Sequence, residues 1–370
     1  MNDLGFPSAP ELVTPEWLTR VLRDAGTLDN ASVTSLSTEP VGEGVGFVGQ
    51  IARIKPEYDR AESGAPETLV GKFAAADEAG RELAAMYGIY RCEVNFYREI
   101  SDAIALRTPR CYFNAVNESA TEFVLLLEDL SATGRVGDQV IGCTLDEAML
   151  ALAELATVHA SWWQRDELGQ MSWLPLLTDL AKISATQAYP QNWKLCLEQY
   201  GHLLSPEIRD AAPSLSERLV ALMTRFEEVP HTLVHGDYRL DNFFFANPGS
   251  DYELAVIDWQ IACRGGAAYD VAYFIALNLE AEVRRAHEAA LLEHYHRVLV
   301  EQGVKDYSLN ALKDDYVLAL LGYLGVAIAN VTALDPANER GQELFALLLE
   351  RSATAVMDWN ALDALPQGGA

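Results

Sequence analysis

The sequence predicts an α+β chain in two parts, a strand-rich first third followed by a mainly helical remainder. Three observations lead there. Segments of β texture follow one another between residues 32 and 127, interrupted once by a stretch of helical spacing. Long helical patterns take over after Leu130. A chain of 370 residues, 50% of them hydrophobic, is long enough to bury two cores. The expected domains are residues 1–128 and 129–370.

The elements follow in order. Thr14-Pro15-Glu16 starts a helix: a hydroxyl cap, a proline where no amide donor is missed, and an acid at the positive helix end. Helix is expected over Trp17–Ala25. Strands are expected over Ser32–Glu39, Phe47–Ile54 and Thr68–Phe73, with a solvated hairpin loop at Glu57–Glu67. Between Asp77 and Ile104 the residues Leu83, Met86, Tyr90, Val94, Tyr97 and Ile100 recur at helical spacing, which predicts one helix. Strands at Arg110–Val116 and Thr121–Leu127 complete the first part. Thr144-x-x-Glu147 is a capping box opening a helix with Leu145, Met149, Leu152, Ala156 and Trp163 on one stripe. The helical second half is interrupted over Thr232–Asp258, where β-like runs Asn242–Ala246 and Leu254–Ile257 flank a turn at Asn247-Pro248-Gly249-Ser250.

Composition excludes several function classes. A charged fraction of 22% with 25 Gly and 15 Pro rules out a disordered or fibrous chain. The formal net charge of −27 would repel a phosphate backbone or an anionic membrane surface, so no nucleic-acid partner is expected. Such acidity favours a cationic substrate or serves solubility alone. Five scattered cysteines without a CxxC pair indicate neither a disulfide framework nor a zinc site. The start MNDLGFPSAP lacks the positive and apolar regions of a signal peptide, and the chain reads as cytoplasmic. Tyr316–Leu334 carries no charge, but its glycines, Asn330 and flanking Asp residues read as a buried helix rather than a membrane span.

The chemistry concentrates in His235-Gly236-Asp237-Tyr238-Arg239-Leu240-Asp241-Asn242 and in Val256-Ile257-Asp258-Trp259. An Asp, an Asn five residues on, a short hairpin and an Asp ending an apolar run supply three oxygen donors, which hard divalent cations prefer. Magnesium needs only one or two protein carboxylates, because phosphate oxygens and water complete its shell. Asn242 and Asp258 suit that role, leaving Asp237 to accept the proton of a hydroxyl nucleophile in phosphoryl transfer. The structural alternative is a capping turn at His235–Asp237 and a turn acid at Asp258.

These residues resemble the HGDxxxxN and xIDWE signatures of aminoglycoside phosphotransferases and choline kinases. Leu127-Glu128-Asp129-Leu130, Gly137-Asp138-Gln139 and His159-Ala160-Ser161-Trp162-Trp163 are similar in wording to the ecdysteroid-kinase-like branch. The resemblance implies a bilobal protein-kinase-like fold, with a five-stranded antiparallel sheet plus helix in the N-lobe and a mainly α-helical C-lobe. It implies ATP and magnesium as cofactors and a small-molecule hydroxyl as acceptor.

The first part then has to hold nucleotide. Gly42, Gly44 and Gly46 lie in a glycine-rich turn between the first two strands, where backbone amides can approach phosphates. Lys72, in Leu69-Val70-Gly71-Lys72-Phe73, occupies the place of the phosphate-gripping lysine. Its carboxylate partner is expected to be Glu93, with Glu82 in reserve. Backbone groups of Glu128 to Leu130 stand at the family's adenine-binding hinge. Arg239, two residues after Asp237, stands where protein kinases carry a lysine, and the resemblance implies that it stabilises charge on the transferred phosphate.

His159 is expected to be a satisfied core histidine; the resemblance implies that His235 organises the loop and that Asp270 ties a helix start to it. Asp241 either assists the metal or faces solvent. Where many relatives carry a glutamate after the tryptophan, this chain has Gln260. Tyr112, Trp162, Trp163, Trp173, Tyr189 and Trp193 either line a pocket for an apolar alcohol or a quaternary amine, or belong to the core. The expected acceptor is a bulky, sterol-like alcohol, with an aminoglycoside or amino alcohol as the alternative. The rivals outside this class are a nucleotide-binding pseudokinase module and a metal-dependent hydrolase built on His235, Asp237, Asp241 and Asp258.

Overall fold

A computed structural model describes residues 5–41, 49–332 and 338–365, and all of these but the Leu180 side chain are described in full. Gly42, Gly44 and Gly46 lie outside the described residues. The chain divides into two compact units, residues 1–135 with 246–261, and residues 136–245 with 262–370.

The first unit opens with helix α1 (Pro15–Asp24), whose Trp17 amide donates to the Thr14 hydroxyl at 3.2 Å. Five strands follow, β1 (Val33–Pro40), β2 (Gly49–Tyr58), β3 (Leu69–Ala74), β4 (Cys111–Val116) and β5 (Phe123–Glu128). They form one antiparallel sheet in the order β1-β2-β3-β5-β4. Side chains alternate across a strand. In β3 the residues Leu69 and Phe73 therefore join the core under α1, with Trp17, Leu18, Leu22, Val124 and Leu126. Lys72, between them, must point to the opposite face.

Between β3 and β4 the expected single helix is two, α2 (Glu78–Met86) and α3 (Ile89–Glu99). Gly88 divides them at φ 70°, ψ 15°. Only glycine takes that left-handed conformation without cost, so the helical register ends there although the apolar spacing runs through. α3 buries Tyr90, Cys92, Glu93, Val94, Phe96 and Tyr97, whereas α2 buries only Ala84.

The second unit is mainly helical, as expected. The capping box is formed: the Glu147 amide donates to the Thr144 hydroxyl, the Thr144 amide donates to the Glu147 carboxylate, and α4 (Leu145–Ser161) follows. Further helices include α5 (Pro206–Phe226), α6 (Ala268–Asn278), α7 (Ala281–Glu301), α8 (Leu309–Ala329) and α9 (Glu339–Asp358), α7 packing on α4 and α8 on α6 and α9. The uncharged stretch beginning at Tyr316 lies in α8 as far as Ala329, and Tyr316, Leu320, Leu321 and Leu324 are buried. Among the described residues no helix is long and apolar enough to cross a membrane. Trp162 and Tyr189 are buried as core.

Two short strands in this unit escaped the sequence reading. His231–Val234 and Cys263–Gly266 pair antiparallel, with Val234 opposite Cys263. Cys-Arg-Gly-Gly has no β texture, so the second strand rests on its partner rather than on propensity. The pair delivers the chain into the loop that starts at His235.

Candidate functional site

In the first unit the side chain of Lys72, on the face of β3 away from α1, meets α3. Its ammonium donates to Glu93 at 2.7 Å and to Asp258 at 2.8 Å. Glu93 is 1% exposed. Burial alone would push the Lys72 ammonium toward neutrality, but Asp258 and Glu93 overcome it and hold the group firmly protonated. Glu93 feels burial most, then opposition from Lys72 and a further upward push from Asp258; its carboxyl rises to about 7.

Asp258 is set by its neighbours. Its backbone is left-handed at φ 67°, which Asp and Asn tolerate better than other side chains. Trp259 anchors the turn, stacking on Phe96 of α3 at 4.2 Å with an interplanar angle of 7°. Its carbonyl accepts from the Cys92 thiol and its indole donates to the Val256 carbonyl. Gln260, the departure noted in the sequence, donates its amide to the second Asp258 oxygen at 3.4 Å, which a glutamate could not do.

At the end of β5, Glu128 accepts two bonds from Arg107, at 2.8 and 2.6 Å, and one from the Arg110 amide. Its own amide donates to the Arg110 carbonyl. Asp129 accepts from Arg53 at 2.7 Å and from the Ser131 amide, while buried Leu130 offers its carbonyl to the Thr133 amide.

In the second unit the His235–Asn242 loop is pinned almost residue by residue. The amides of His235 and Gly236 donate to the two oxygens of Asp270 at 2.7 and 2.9 Å. Asp270 stands in the first turn of α6 and is fully buried. His159 closes that arrangement from α4, with Nε2 3.3 Å from Asp270 and Nδ1 2.7 Å from the Tyr295 hydroxyl. Burial and the nearby Asp270 charge hold the Tyr295 phenol far above its usual range. The protonated phenol thus shares one hydrogen bond with the imidazole, whose other nitrogen faces Asp270.

The Asp237 amide donates to His235 Nδ1 at 3.2 Å, the Leu240 amide to Asn278 at 2.9 Å, and the Gln139 amide to Asp241 at 3.0 Å. Tyr238 buries its ring and donates to the Ala151 carbonyl. Gly137 lets the 137–139 segment approach, since a Cβ there would lie 2.4 Å from the Leu240 carbonyl oxygen.

The side chains meet at Asp237. Asn242 Nδ2 donates to the Asp237 carbonyl at 2.9 Å and to its carboxylate at 3.1 Å, and Arg239 Nε lies 3.0 Å from the same carboxylate oxygen. Tyr273, a turn beyond Asp270, lies beside Asp237, and burial together with that charge keeps the phenol protonated. With its amide nitrogen committed to Asp237, Asn242 has its amide oxygen as the remaining polar end, the type of donor a hard cation takes.

The structure thus joins Lys72, Glu93 and Asp258 in one unit, and Asp237, Arg239 and Asn242 in the other. Sequence reasoning missed Tyr273, Asn278 and the direct bond from Lys72 to Asp258. Asn278 did leave a signal, a lone amide at the end of an apolar helix.

A sequence profile of the ecdysteroid kinase-like family matches residues 43–306, more than half of the chain. The chain belongs to the ecdysteroid kinase-like family. Solved structures share its fold. A putative aminoglycoside phosphotransferase from Ralstonia eutropha JMP134 has a TM-score of 0.53 at 19% identity, over 96% of this chain and 99% of that one. Choline kinase from Cryptosporidium parvum Iowa II has a TM-score of 0.53 at 10% identity, over 94% and 98%. The fold of this ecdysteroid kinase-like chain is therefore the bilobal, protein-kinase-like one of small-molecule phosphotransferases. Two curated proteins match short segments. Acyl-CoA dehydrogenase family member 10 of Mus musculus is 52% identical over 42 residues, 11% of this chain and 4% of that protein. The probable acyl-CoA dehydrogenase IBR3 of Arabidopsis thaliana is 46% identical over 41 residues, 5% of its length. The chain spans about a twentieth of the length of these curated relatives.

Proposed function

We propose that the protein is an ATP-dependent phosphotransferase that moves a γ-phosphoryl group to a hydroxyl of a small molecule. The observation that carries this reading is the Lys72 ammonium, held charged between the carboxylates of Glu93 and Asp258. A fixed cation of this kind is what the α and β phosphates of a nucleotide require. Gly42, Gly44 and Gly46 would cover the phosphates, and the chain at Glu128 to Leu130 would meet the adenine. With the Glu128 amide and Leu130 carbonyl engaged internally, that contact falls to the remaining backbone groups.

Magnesium, when bound, neutralises charge on the phosphates. The oxygens of Asn242 and Asp258 are chemically suited to hold it, being hard donors with few carboxylates among them. Asp237, oriented by Asn242 and Arg239, would align the acceptor hydroxyl and take its proton. Arg239 would balance charge on the transferred group. Membership of the ecdysteroid kinase-like family supports a bulky, sterol-like alcohol as the acceptor. The phosphotransferases of similar fold are named for aminoglycosides and choline, which makes those the alternative acceptors to screen.

Thermal unfolding with ATP, GTP or no nucleotide, with and without magnesium, tests the reading. A ligand bound only by the folded state raises the midpoint. A magnesium-dependent nucleotide shift is expected in the natural protein and its loss in Asp258→Asn, a substitution the left-handed backbone tolerates. No shift with either nucleotide would reject a kinase. A shift without phosphate transfer to any alcohol would leave a nucleotide-binding module.

A further inference from the structure

The second unit holds a cavity of about 410 Å³ that the phosphotransfer reading does not use. It lies between the short helix Asp166–Gln170, the 227–231 segment and the strand Cys263–Gly266, and Arg264 faces it. The Arg264 guanidinium stands over Gly169, where a Cβ would come 3.4 Å from Nη1. Its Nε is buried and finds no acceptor among the described residues. Other arginines of this unit are matched: Arg284 meets Glu288 and Asp358, Arg340 meets Asp138, and Arg351 meets the carbonyls of Gln139 and Leu277.

A second guanidinium lines the same cavity. Arg165 stacks on Trp162 at 5.2 Å, which fixes the head without neutralising it. His231, on the cavity wall, is held below its usual range, first by burial and then by the Arg264 charge, with Glu227 opposing. In a chain of net charge −27, the Arg264 guanidinium, with a buried Nε and no ion pair among the described residues, is not explained by folding alone; exposed Arg165 adds a second cation at the rim.

We propose that this cavity is a binding site for a small anion, a carboxylate or a phosphate, gripped by Arg264 with help from Arg165. The guanidinium fork matches both groups, so their shared chemistry defines the ligand. Asp166, Glu227 and Glu228 also line the cavity, and Glu227 is already paired with Lys182. The other two acids exclude a polyanion and restrict the ligand to one or two charges. The site reports to the Asp237 loop through the backbone: Arg264 pairs with Leu233 in the ladder that leads into it, and His231 belongs to the same strand.

The test is the thermal midpoint of the full chain titrated with sodium phosphate or sodium malonate, against sodium chloride at equal ionic strength. One of the two anions should raise it saturably by about 2–4 °C, and which one does separates phosphate from carboxylate. Arg264→Gln should abolish the rise, Arg264→Lys, lacking the fork, should weaken binding several-fold, and Lys72→Met should leave it intact. Calorimetric titration of the natural protein should give one site per chain. Retention of the rise in Arg264→Gln, its loss in Lys72→Met, or no saturable rise with either anion would overturn the proposal. Should Arg264→Gln not fold, the Lys variant and the stoichiometry decide it.

Discussion

Two buried carboxylates, Glu93 in the first unit and Asp270 in the second, are kept in opposite company. Glu93 faces an ammonium that it shares with Asp258, a pairing of charges whose strength depends on protonation. Asp270 faces two backbone amides and an imidazole, a pairing that fixes where the chain runs. The first arrangement holds a charge in place and the second holds a shape. Substitutions in the two should therefore fail differently, the first in nucleotide handling and the second in folding.

The largest expected effect lies at the end of the pinned loop. Asp237→Ala should lower phosphate transfer by about 10²- to 10⁴-fold while leaving the nucleotide-induced midpoint shift unchanged. Steady-state assays on the acceptor found by screening would measure it. Full turnover in this variant would remove Asp237 from the chemistry.

Next comes Asp270→Ala, which strands two buried amides and should cost about 3 kcal/mol in urea unfolding. By contrast, the double variant Lys72→Met with Glu93→Gln should cost only about 1–2 kcal/mol, since it removes the buried pair together and leaves Asp258 half-buried with the Gln260 amide. A double variant as unstable as Asp270→Ala would erase the distinction between the two sites.

The pH dependence sharpens it. Glu93 is raised to about 7, so between its unfolded value and that point the folded state binds more protons than the unfolded state. The Glu93 contribution to stability is therefore present at low pH and declines as pH rises toward 7. Relative to Glu93→Gln, the natural protein should lose on the order of 1–3 kcal/mol between about pH 5 and 8. A pH-independent difference would argue that Glu93 stays ionised throughout.

The smallest effect belongs to Tyr295→Phe, which removes one buried hydrogen bond to His159 and should cost about 1 kcal/mol. If its loss also shifts the pH profile of phosphate transfer, His159 acts on the loop rather than merely filling the core.

Much of this was legible because polar residues stand out in apolar surroundings. Lys72 interrupts a buried strand, and Asp237 and Asn242 sit in a run otherwise composed for a turn. Thr14 and Thr144 announced their helices because capping is local chemistry. What the sequence hid was tertiary. Gly88 looked like one more position in a helical pattern, since Leu83 and Tyr90 keep the spacing on either side. The strand Cys263–Gly266 has no propensity of its own. Tyr273 reads as one aromatic among many until α6 brings it to Asp237. Gln260 read only as a lost charge, whereas its amide donates to Asp258.

The break at Gly88 has a consequence for hydrogen exchange. α2 and its C-cap leave Leu83, Met86 and Tyr87 exposed at 43%, 72% and 39%, and little buried surface opposes its opening. α3, past the glycine, is held by six buried side chains. The amides of α2 should therefore exchange through local fraying, at a small fraction of the global unfolding free energy, while those of α3 wait for the unit to open. A helix start that opens cheaply beside a helix that does not gives the segment before Glu93 a protection pattern with a sharp step at residue 88.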